Sequence, residues 1–253
     1  MLENTTFWLY YLTMKSEMQR ILKAQEQVLK VLSGKMDGFY LAGGTALSNY
    51  HFQHHRESYD LDFFSQKYDP AQVDGIAAHL ESRTRKKMKV AVREEGKKKF
   101  ADIRRYDLAI DRKNALRIDF VRDVHDLLEP LMEVNGIPVL SLADIYLRKI
   151  FAVTGVIAKP GVTGRTVTEG GRQTARDLFD LYHLSLRAEP LASFAQKHCD
   201  DLRIEGLCNW FRSFDRTAIK IELAEIRTSN PVEFREIDRY FAREIERLYG
   251  GLF

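Results

Sequence analysis

Residues 41–62 read LAGGTALSNYHFQHHRESYDLD, and the order of elements in this stretch decides the fold. An apolar strand at its start runs into Gly43-Gly44, and Thr45 then opens a short helix. Glycine lets backbone N–H groups approach an anion, and the start of a helix favours negative charge. The first half of the stretch therefore predicts a binding place for a phosphate group.

The second half of the stretch predicts a strand that carries Asp60 and Asp62. Side chains alternate between the two faces of a strand, so both carboxylates lie opposite Leu61 and Phe63. Two carboxylates on one face are costly unless a metal ion or solvent meets them, and their oxygens suit Mg²⁺ or Mn²⁺. Together with the glycine turn, the acidic pair predicts the core of a nucleotidyltransferase.

A third carboxylate, Asp119, lies in the strand-like run at residues 116–120. Its apolar neighbours predict a carboxylate on a buried strand, which would complete a triad with Asp60 and Asp62 for a two-metal site. The alternative is that Asp119 lies on the edge of a surface strand. Competing carboxylates are close by in the sequence, namely Asp107, Asp123 and Asp126.

The chain as a whole has the composition of an ordinary globular protein, with 45% hydrophobic and 30% charged residues among 253. No apolar run approaches the length of a transmembrane helix. Cys199 and Cys208 provide neither a disulfide framework nor a metal-binding spacing. We therefore expect a cytoplasmic protein without a membrane partner.

Positive charge is concentrated in residues 83–105, which we name the basic segment. It holds eleven lysines and arginines against three acidic residues, a net charge of +8 in a chain whose total is +3. A lysine-rich hairpin edge protects a sheet against aggregation, whereas a basic strip beside a catalytic site attracts a polyanion such as RNA. Both interpretations stay open at this point.

Hydrophobic periodicity divides the chain into a mixed first half and a helical second half. Strands are expected near residues 39–41, 60–64, 88–92, 100–110 and 115–121, the last two joined by a turn at 111–114. Helices are expected at 14–33, 70–82 and 141–153 and, after a Gly/Thr-rich loop over 155–174, at 172–187, 189–199, 204–226 and 231–249. We predict an α+β fold, with a small mixed-sheet α/β domain over 1–135 and a helical domain over 136–253.

Two elements of the helical half carry charge at positions that matter for function. Lys149 lies mid-helix among apolar residues, where a lysine needs an anionic partner such as a triphosphate; the alternative is a surface lysine. Asp177 and Asp180 are three positions apart and so lie on one helical face. That spacing also fits a solvated acidic stripe.

Taken in order, these residues resemble the AbiEii/AbiGii-type nucleotidyltransferase toxins. The resemblance rests on Gly43-Gly44-Thr45, Arg56, Ser58-x-Asp60-x-Asp62, Lys149-x-x-Ala152 and Arg176-Asp177-x-x-Asp180-Leu181. It implies a polymerase-β-like nucleotidyltransferase domain followed by a helical C-terminal domain. It also implies the toxin of a type IV toxin–antitoxin pair, with a cognate antitoxin as partner, and some members add nucleotides to the 3′ end of tRNA.

The resemblance also implies roles for the matching positions. With Asp119 added, the catalytic positions are Asp60, Asp62, Asp119, Lys149 and Asp177. Of these, Asp60, Asp62 and Asp119 would bind Mg²⁺ or Mn²⁺. The nucleotide-binding positions are Gly43, Gly44, Thr45, Arg56, Lys149 and Asp180. Asp177 would act as a base or position the nucleotide.

We therefore predict a metal-dependent enzyme that moves NMP from an NTP to an acceptor hydroxyl and releases pyrophosphate. The expected acceptor is RNA, at the 3′ end of tRNA. One alternative is a hydroxyl of a small molecule or a protein. Another is a homologue that has lost catalysis and only binds RNA or a partner, but an unused carboxylate cluster would be electrostatically costly.

Overall fold

The chain forms two compact units: Met1–Gln53 with Ser58–Ser141, and His54–Glu57 with Leu142–Phe253. The structure is a computed structural model that describes residues 2–96, 101–155, 157–160, 166–169 and 171–250, with the backbone alone for 2–16, 157–160 and 166–169. Within these residues, none of the helices combines the length and hydropathy that a membrane span requires.

The first unit is built on a seven-stranded sheet in the order β3-β4-β5-β2-β1-β7-β6. Its strands are β1 (Tyr40–Ala42), β2 (Leu61–Ser65), β3 (Met88–Glu94), β4 (Ile103–Ala109), β5 (Ala115–Arg122), β6 (Met132–Val134) and β7 (Ile137–Val139). β2 runs parallel to β5, and β1 runs parallel to β7, whereas the other neighbours are antiparallel. The expected mixed sheet is therefore present.

The helices of the first unit are α1 (Leu2–Leu32), α2 (Gly43–Ala46) and α3 (Pro70–Thr84), and α2 continues as a π-helical turn over Leu47–His51. Sequence signals explain α3 well. Asp69 caps its start by accepting a 2.9 Å hydrogen bond from the Ala71 N–H, and proline occupies the first turn. α1 begins earlier than the helix expected over 14–33.

The core of the first unit follows the two-residue period of its strands. Leu116, Ile118 and Phe120 on β5 are fully buried, and so are Leu61 and Phe63 on β2. Because alternate side chains leave a strand on opposite sides, this apolar set places the intervening residues of β2 and β5 together on the other face.

The second unit is mostly helical. Its helices are α4 (Leu142–Thr154), α5 (Ala175–Arg187), α6 (Leu191–His198), α7 (Asp201–Ser213), α8 (Arg216–Ala224) and α9 (Phe234–Gly250). The single helix expected over 204–226 is two helices, because Asp215 starts α8 by accepting hydrogen bonds from Thr217 and Ala218 N–H groups. Within the stretch expected as a loop, β8 (Ile157–Pro160) and β9 (Thr166–Glu169) pair antiparallel.

The division into units differs from the expected boundary between residues 135 and 136. β7 pairs in parallel with β1, with Leu41 opposite Val139, so it belongs to the sheet. A boundary at 135/136 would separate it from its hairpin partner β6. The first unit therefore reaches Ser141, and the short segment His54–Glu57 belongs to the second unit.

Candidate active site

One group of candidate residues is the acidic cluster, which we define as Asp60, Asp62 and Asp119 in the first unit. Asp62 lies on β2 between two buried apolar residues, and Asp60 immediately precedes this strand. The Asp60 carbonyl accepts hydrogen bonds from the Thr45 hydroxyl (2.5 Å) and the Gln25 amide (3.1 Å). The backbone at the start of the acidic pair is thus held by two side chains.

Gly43 and Asp62 are in direct contact. Gly43 has φ +68°, a left-handed conformation that favours glycine. A Cβ atom added there would overlap the Asp62 carboxylate, with its carbon Cγ only 2.8 Å away. Only glycine fits this position, and the Asp62 carboxylate therefore lies at the first residue of α2.

Asp119 joins the same face of the sheet. It lies on β5 directly beside Asp62 in the parallel register, and β5 is an internal strand between β4 and β2. The alternative of a surface strand edge is therefore wrong. Among the competing carboxylates, Asp123 follows the end of β5 and accepts a 2.6 Å hydrogen bond from the Tyr40 hydroxyl.

The carboxylates of the acidic cluster differ in how well they could hold a divalent metal ion. Their oxygens are the ligands that Mg²⁺ prefers. However, Asp119 accepts two hydrogen bonds of 2.7 Å from Arg105, one on each oxygen. Among the described side chains, no set of three or more His, Cys, Asp or Glu is arranged to hold a metal. Asp119 is bound to Arg105, and Asp60 lies 3.8 Å from the Arg117 guanidinium.

A separate group of candidate residues is the buried charge cluster, which we define as Arg56, Lys149, Asp177 and Asp180 in the second unit. Arg56 donates two hydrogen bonds of 2.6 Å, one to each oxygen of Asp180. The Lys149 ammonium lies 2.7 Å from Asp180 and 2.9 Å from Asp177. All four residues are buried, and Asp180 is completely inaccessible.

Helices α4 and α5 place these charges. Lys149 lies on the buried face of α4 beside Ile150, and Asp177 and Asp180 lie on the buried face of α5. Thr174 caps α5 by accepting a 3.2 Å bond from the Asp177 N–H, and its hydroxyl donates to the Asp177 carboxylate at 2.9 Å. The alternatives of a surface lysine and a solvated acidic stripe are therefore wrong.

Burial and charge act in opposite directions on the pKa values of this cluster. Burial raises the pKa of Asp180, but the neighbouring Arg56 and Lys149 cations outweigh it and hold that pKa well below its usual value. Burial likewise raises the pKa of Asp177, and Lys149 and Arg172 bring it below its usual value. Both carboxylates are therefore ionised at neutral pH.

Lys149 and His55 respond differently to burial. Burial lowers the pKa of Lys149, but Asp177 and Asp180 outweigh it, so its pKa is raised and the ammonium stays charged. For His55, burial outweighs the 3.0 Å hydrogen bond to Asp180, and its pKa is lowered. His55 is therefore a neutral hydrogen-bonding partner of Asp180.

Comparison with known proteins identifies the family. The model of the family described as the nucleotidyl transferase AbiEii toxin of type IV toxin–antitoxin systems matches residues 27–204, a range that includes both clusters. The chain belongs to the AbiEii family of nucleotidyltransferase toxins. Its assignment as a nucleotidyltransferase follows from this membership, and its seven-stranded mixed sheet with many helices agrees with it.

Solved structures with the same fold share little sequence with this AbiEii protein. MenT4, a nucleotidyltransferase toxin from Mycobacterium tuberculosis, aligns with a TM-score of 0.58 and 17% identity over 92% of this chain and 84% of its own. JHP933 from Helicobacter pylori aligns with a TM-score of 0.53 and 16% identity over 93% of each chain. No curated protein matches the sequence.

Two residues of the AbiEii motif lack the accessible surface that a direct contact with a nucleotide would need. The Thr45 side chain is fully buried and donates its hydroxyl to the Asp60 carbonyl. Asp180 is also fully buried, and both its oxygens are taken by Arg56. Each of these side chains therefore acts on a neighbouring residue, Thr45 on Asp60 and Asp180 on Arg56 and Lys149.

Sequence reasoning missed the residues that pair with the motif. Arg105 was counted only as one charge of the basic segment, yet it binds Asp119. Arg172 lies 3.1 Å from Asp177, and His55 contacts Asp180. The sequence could have indicated the role of His55, because this residue directly precedes Arg56 and both contact Asp180.

Proposed function

We propose that this AbiEii protein is a metal-dependent enzyme that transfers NMP from an NTP to a hydroxyl of RNA, at the 3′ end of tRNA. The observation that carries the proposal is the contact between Gly43 and the Asp62 carboxylate. It brings a metal-ligand residue to the start of a helix whose first N–H groups favour phosphate. The proposed phosphate and metal sites would therefore be adjacent within the first unit.

In the first unit, Asp60 and Asp62 would hold Mg²⁺ or Mn²⁺, with Asp119 as the third carboxylate of the site. When bound, the metal supplies Lewis-acid stabilisation of the phosphate oxygens. Gly43 and Gly44 offer backbone N–H groups to the triphosphate. Thr45 contributes indirectly, since its hydroxyl fixes the Asp60 backbone.

In the second unit, Lys149 and Arg56 would supply positive charge to the nucleotide phosphates. Asp180 positions both, because its oxygens accept from Arg56 and lie 2.7 Å from Lys149. Only three residues separate Arg56 from Asp60 in the sequence.

The reaction joins the acceptor oxygen to the α-phosphorus of the NTP, breaks the bond to the leaving pyrophosphate and releases the hydroxyl proton. Asp177 was expected as a base or as a positioning group. Its lowered pKa makes it a weak base. We assign it to nucleotide positioning, through the ammonium of Lys149 and the exposed Arg172.

The basic segment would bind the RNA acceptor. Several of its charged side chains are exposed on and before β3: Arg83, Arg85, Lys87, Lys89 and Arg93. Arg104 is buried and Arg105 is paired with Asp119, so neither contributes to such a surface. Lys97, Lys98 and Lys99 lie outside the described residues. Exposed cations at the end of α3, in the connection to β3 and on β3 support binding to a polyanion, although Arg93 is paired with Glu95.

The family also suggests the biological setting. AbiEii proteins are toxins of type IV toxin–antitoxin systems. We propose a cognate antitoxin as the protein partner, no membrane partner, and the cytoplasm, where NTP and tRNA are found, as the location.

The test is to incubate the purified protein with each labelled NTP, Mg²⁺ and total cellular RNA, and to resolve the products by size. We expect label in the tRNA fraction with one or more NTPs, and none when Mg²⁺ is chelated. Asp62→Asn should lower transfer by at least about 10²-fold, because a metal ligand contributes several kcal/mol to the transition state. The matched control is Asp37→Asn, an exposed aspartate of the same unit.

Two results would contradict the proposal. Near-normal transfer by Asp62→Asn would remove the metal role of the acidic pair. Label that appears only on small molecules or protein would replace RNA by one of the alternative acceptors.

A further inference from the structure

Two neighbouring arginines of β4 point to opposite faces of the sheet and have different surroundings. Arg104 is 1% exposed and donates hydrogen bonds to Glu95 at 2.8 and 2.7 Å. Arg105 faces the acidic cluster and binds both oxygens of Asp119. Arg104 thus stabilises the sheet from behind, whereas Arg105 lies next to the proposed metal ligands, as does Arg117, which is 3.8 Å from Asp60.

The strand beside Arg105 is irregular at this point. The register between β3 and β4 shifts between Val90 and Val92, and Val92 lies opposite Arg105. Such bulges bend a strand and redirect side chains, and they are frequent next to active sites. The irregularity therefore lies opposite Arg105, the β4 residue that binds Asp119.

Two hydrogen bonds to Asp119 link Arg105 to the acidic cluster. Its hydrogen bonds to Asp119 are the largest influence and raise the pKa of the guanidinium, and the charges of Asp60 and Asp62 raise it further against the effect of burial. Solvent can reach Arg105, because 30% of its side chain is accessible. Arg105 therefore offsets part of the negative charge of the acidic cluster and is partly accessible to solvent.

We propose that Arg105 is the resident counter-ion of the acidic cluster and competes with the divalent cation for Asp119. The inference rests on the proposed metal site. While no cation is bound, the guanidinium holds both oxygens of Asp119 and limits repulsion among the three carboxylates. A cation held by Asp60 and Asp62 would share the oxygens of Asp119 with the Arg105 guanidinium, whose positive charge would oppose it.

This competition explains why the three carboxylates share a face without forming a three-ligand set among the described residues. It makes Arg105 a positioning residue, since it acts through Asp119. Its side chain therefore sets the cation affinity of the site, and removal of the guanidinium should strengthen cation binding. A merely structural ion pair would have the opposite effect or none.

The test measures Mn²⁺ binding to the full chain by electron paramagnetic resonance and calorimetry, without nucleotide. Arg105→Gln should bind Mn²⁺ about tenfold more tightly than the wild type, because a nearby positive charge is lost. Its melting temperature should also rise more on Mn²⁺ addition. Arg105→Lys keeps the charge but not the paired hydrogen bonds, so it should lie between the two.

The matched control is Arg122→Gln, which removes the same charge from an exposed arginine at the end of β5, 3.5 Å from Asp102. It should leave Mn²⁺ affinity unchanged. Unchanged or weaker Mn²⁺ binding by both Arg105 variants would overturn the inference while leaving the metal site intact. Wild-type Mn²⁺ affinity in Asp62→Asn would overturn the metal site itself, and the inference with it.

Discussion

Replacement of Asp180 by asparagine tests whether the buried charge cluster holds the second unit together. The substitution keeps the shape of the side chain but removes the charge shared by Arg56 and Lys149. Both cations stay buried with Asp177 as the remaining acidic member of the cluster. Loss of one partner from a buried ion pair costs about 3–5 kcal/mol, and we expect that loss in the free energy of unfolding of the second unit.

Tryptophan fluorescence gives a specific measurement. The chain has two tryptophans, and Trp210 is buried in the second unit. In a Trp8→Phe background, the fluorescence of Trp210 therefore reports the unfolding of that unit, in urea or on heating. For a chain of this length, the expected loss lowers the melting temperature by roughly 6–20 °C. Asp238→Asn is the control, since it breaks a 3.3 Å pair with the exposed Arg216 and should cost about 0–1 kcal/mol.

The stability that Asp180 contributes should depend on pH, and the direction of this dependence follows from its pKa. The pKa of Asp180 is held well below its usual value by Arg56 and Lys149. A carboxyl group with a lowered pKa stabilises the fold above its unfolded pKa of about 3.9, and this contribution is lost as the pH falls further. The difference between wild type and Asp180→Asn should therefore be full at pH 7 and shrink below about pH 4. Equal stability of the two proteins at pH 7 would refute the reasoning.

Two further predictions concern the first unit. Gly43→Ala should abolish transfer, because a Cβ atom overlaps the Asp62 carboxylate; Gly34→Ala is the control, since Gly34 has nearly the same φ of +67° and no atom within 4 Å. Both should lose about 1–2 kcal/mol of stability from the left-handed backbone, and equal activity of the two variants would contradict the assigned contact. Replacement of residues 97–99 by glutamate should weaken RNA binding and flatten its salt dependence while NTP binding is kept; transfer to RNA at the wild-type rate would remove the RNA role of the basic segment.

The two faces of β2 could be predicted because their evidence is local, although Asp60, expected on this strand, lies just before it. The alternation of Asp60, Leu61, Asp62 and Phe63 defines two faces without any knowledge of the neighbouring strands. The glycine turn is similarly local, since a left-handed backbone at Gly43 needs glycine. The family resemblance then joined these signals to the positions in the second half.

The pairing of Arg105 with Asp119 could not be predicted because it depends on strand register. The expected turn at 111–114 would place Arg105 opposite Phe120, whereas the structure places it opposite Asp119. A shift of one residue moves every side chain of a strand to the other face. The same limit applies to Asp180, whose complete burial depends on how α4 and α5 pack.

The short segment His54–Glu57 has a consequence for dissecting this protein into fragments. It is anchored in the second unit by the bond of the Thr228 hydroxyl to the His55 carbonyl, 2.6 Å, and by the bond of the Glu57 N–H to the Arg227 carbonyl, 2.9 Å. A polypeptide starting at Leu142 would lack Arg56 and leave Asp180 with Lys149 as its main cation. The second unit is thus discontinuous in the sequence, and division of the chain after Ser141 would remove part of the interior of this unit.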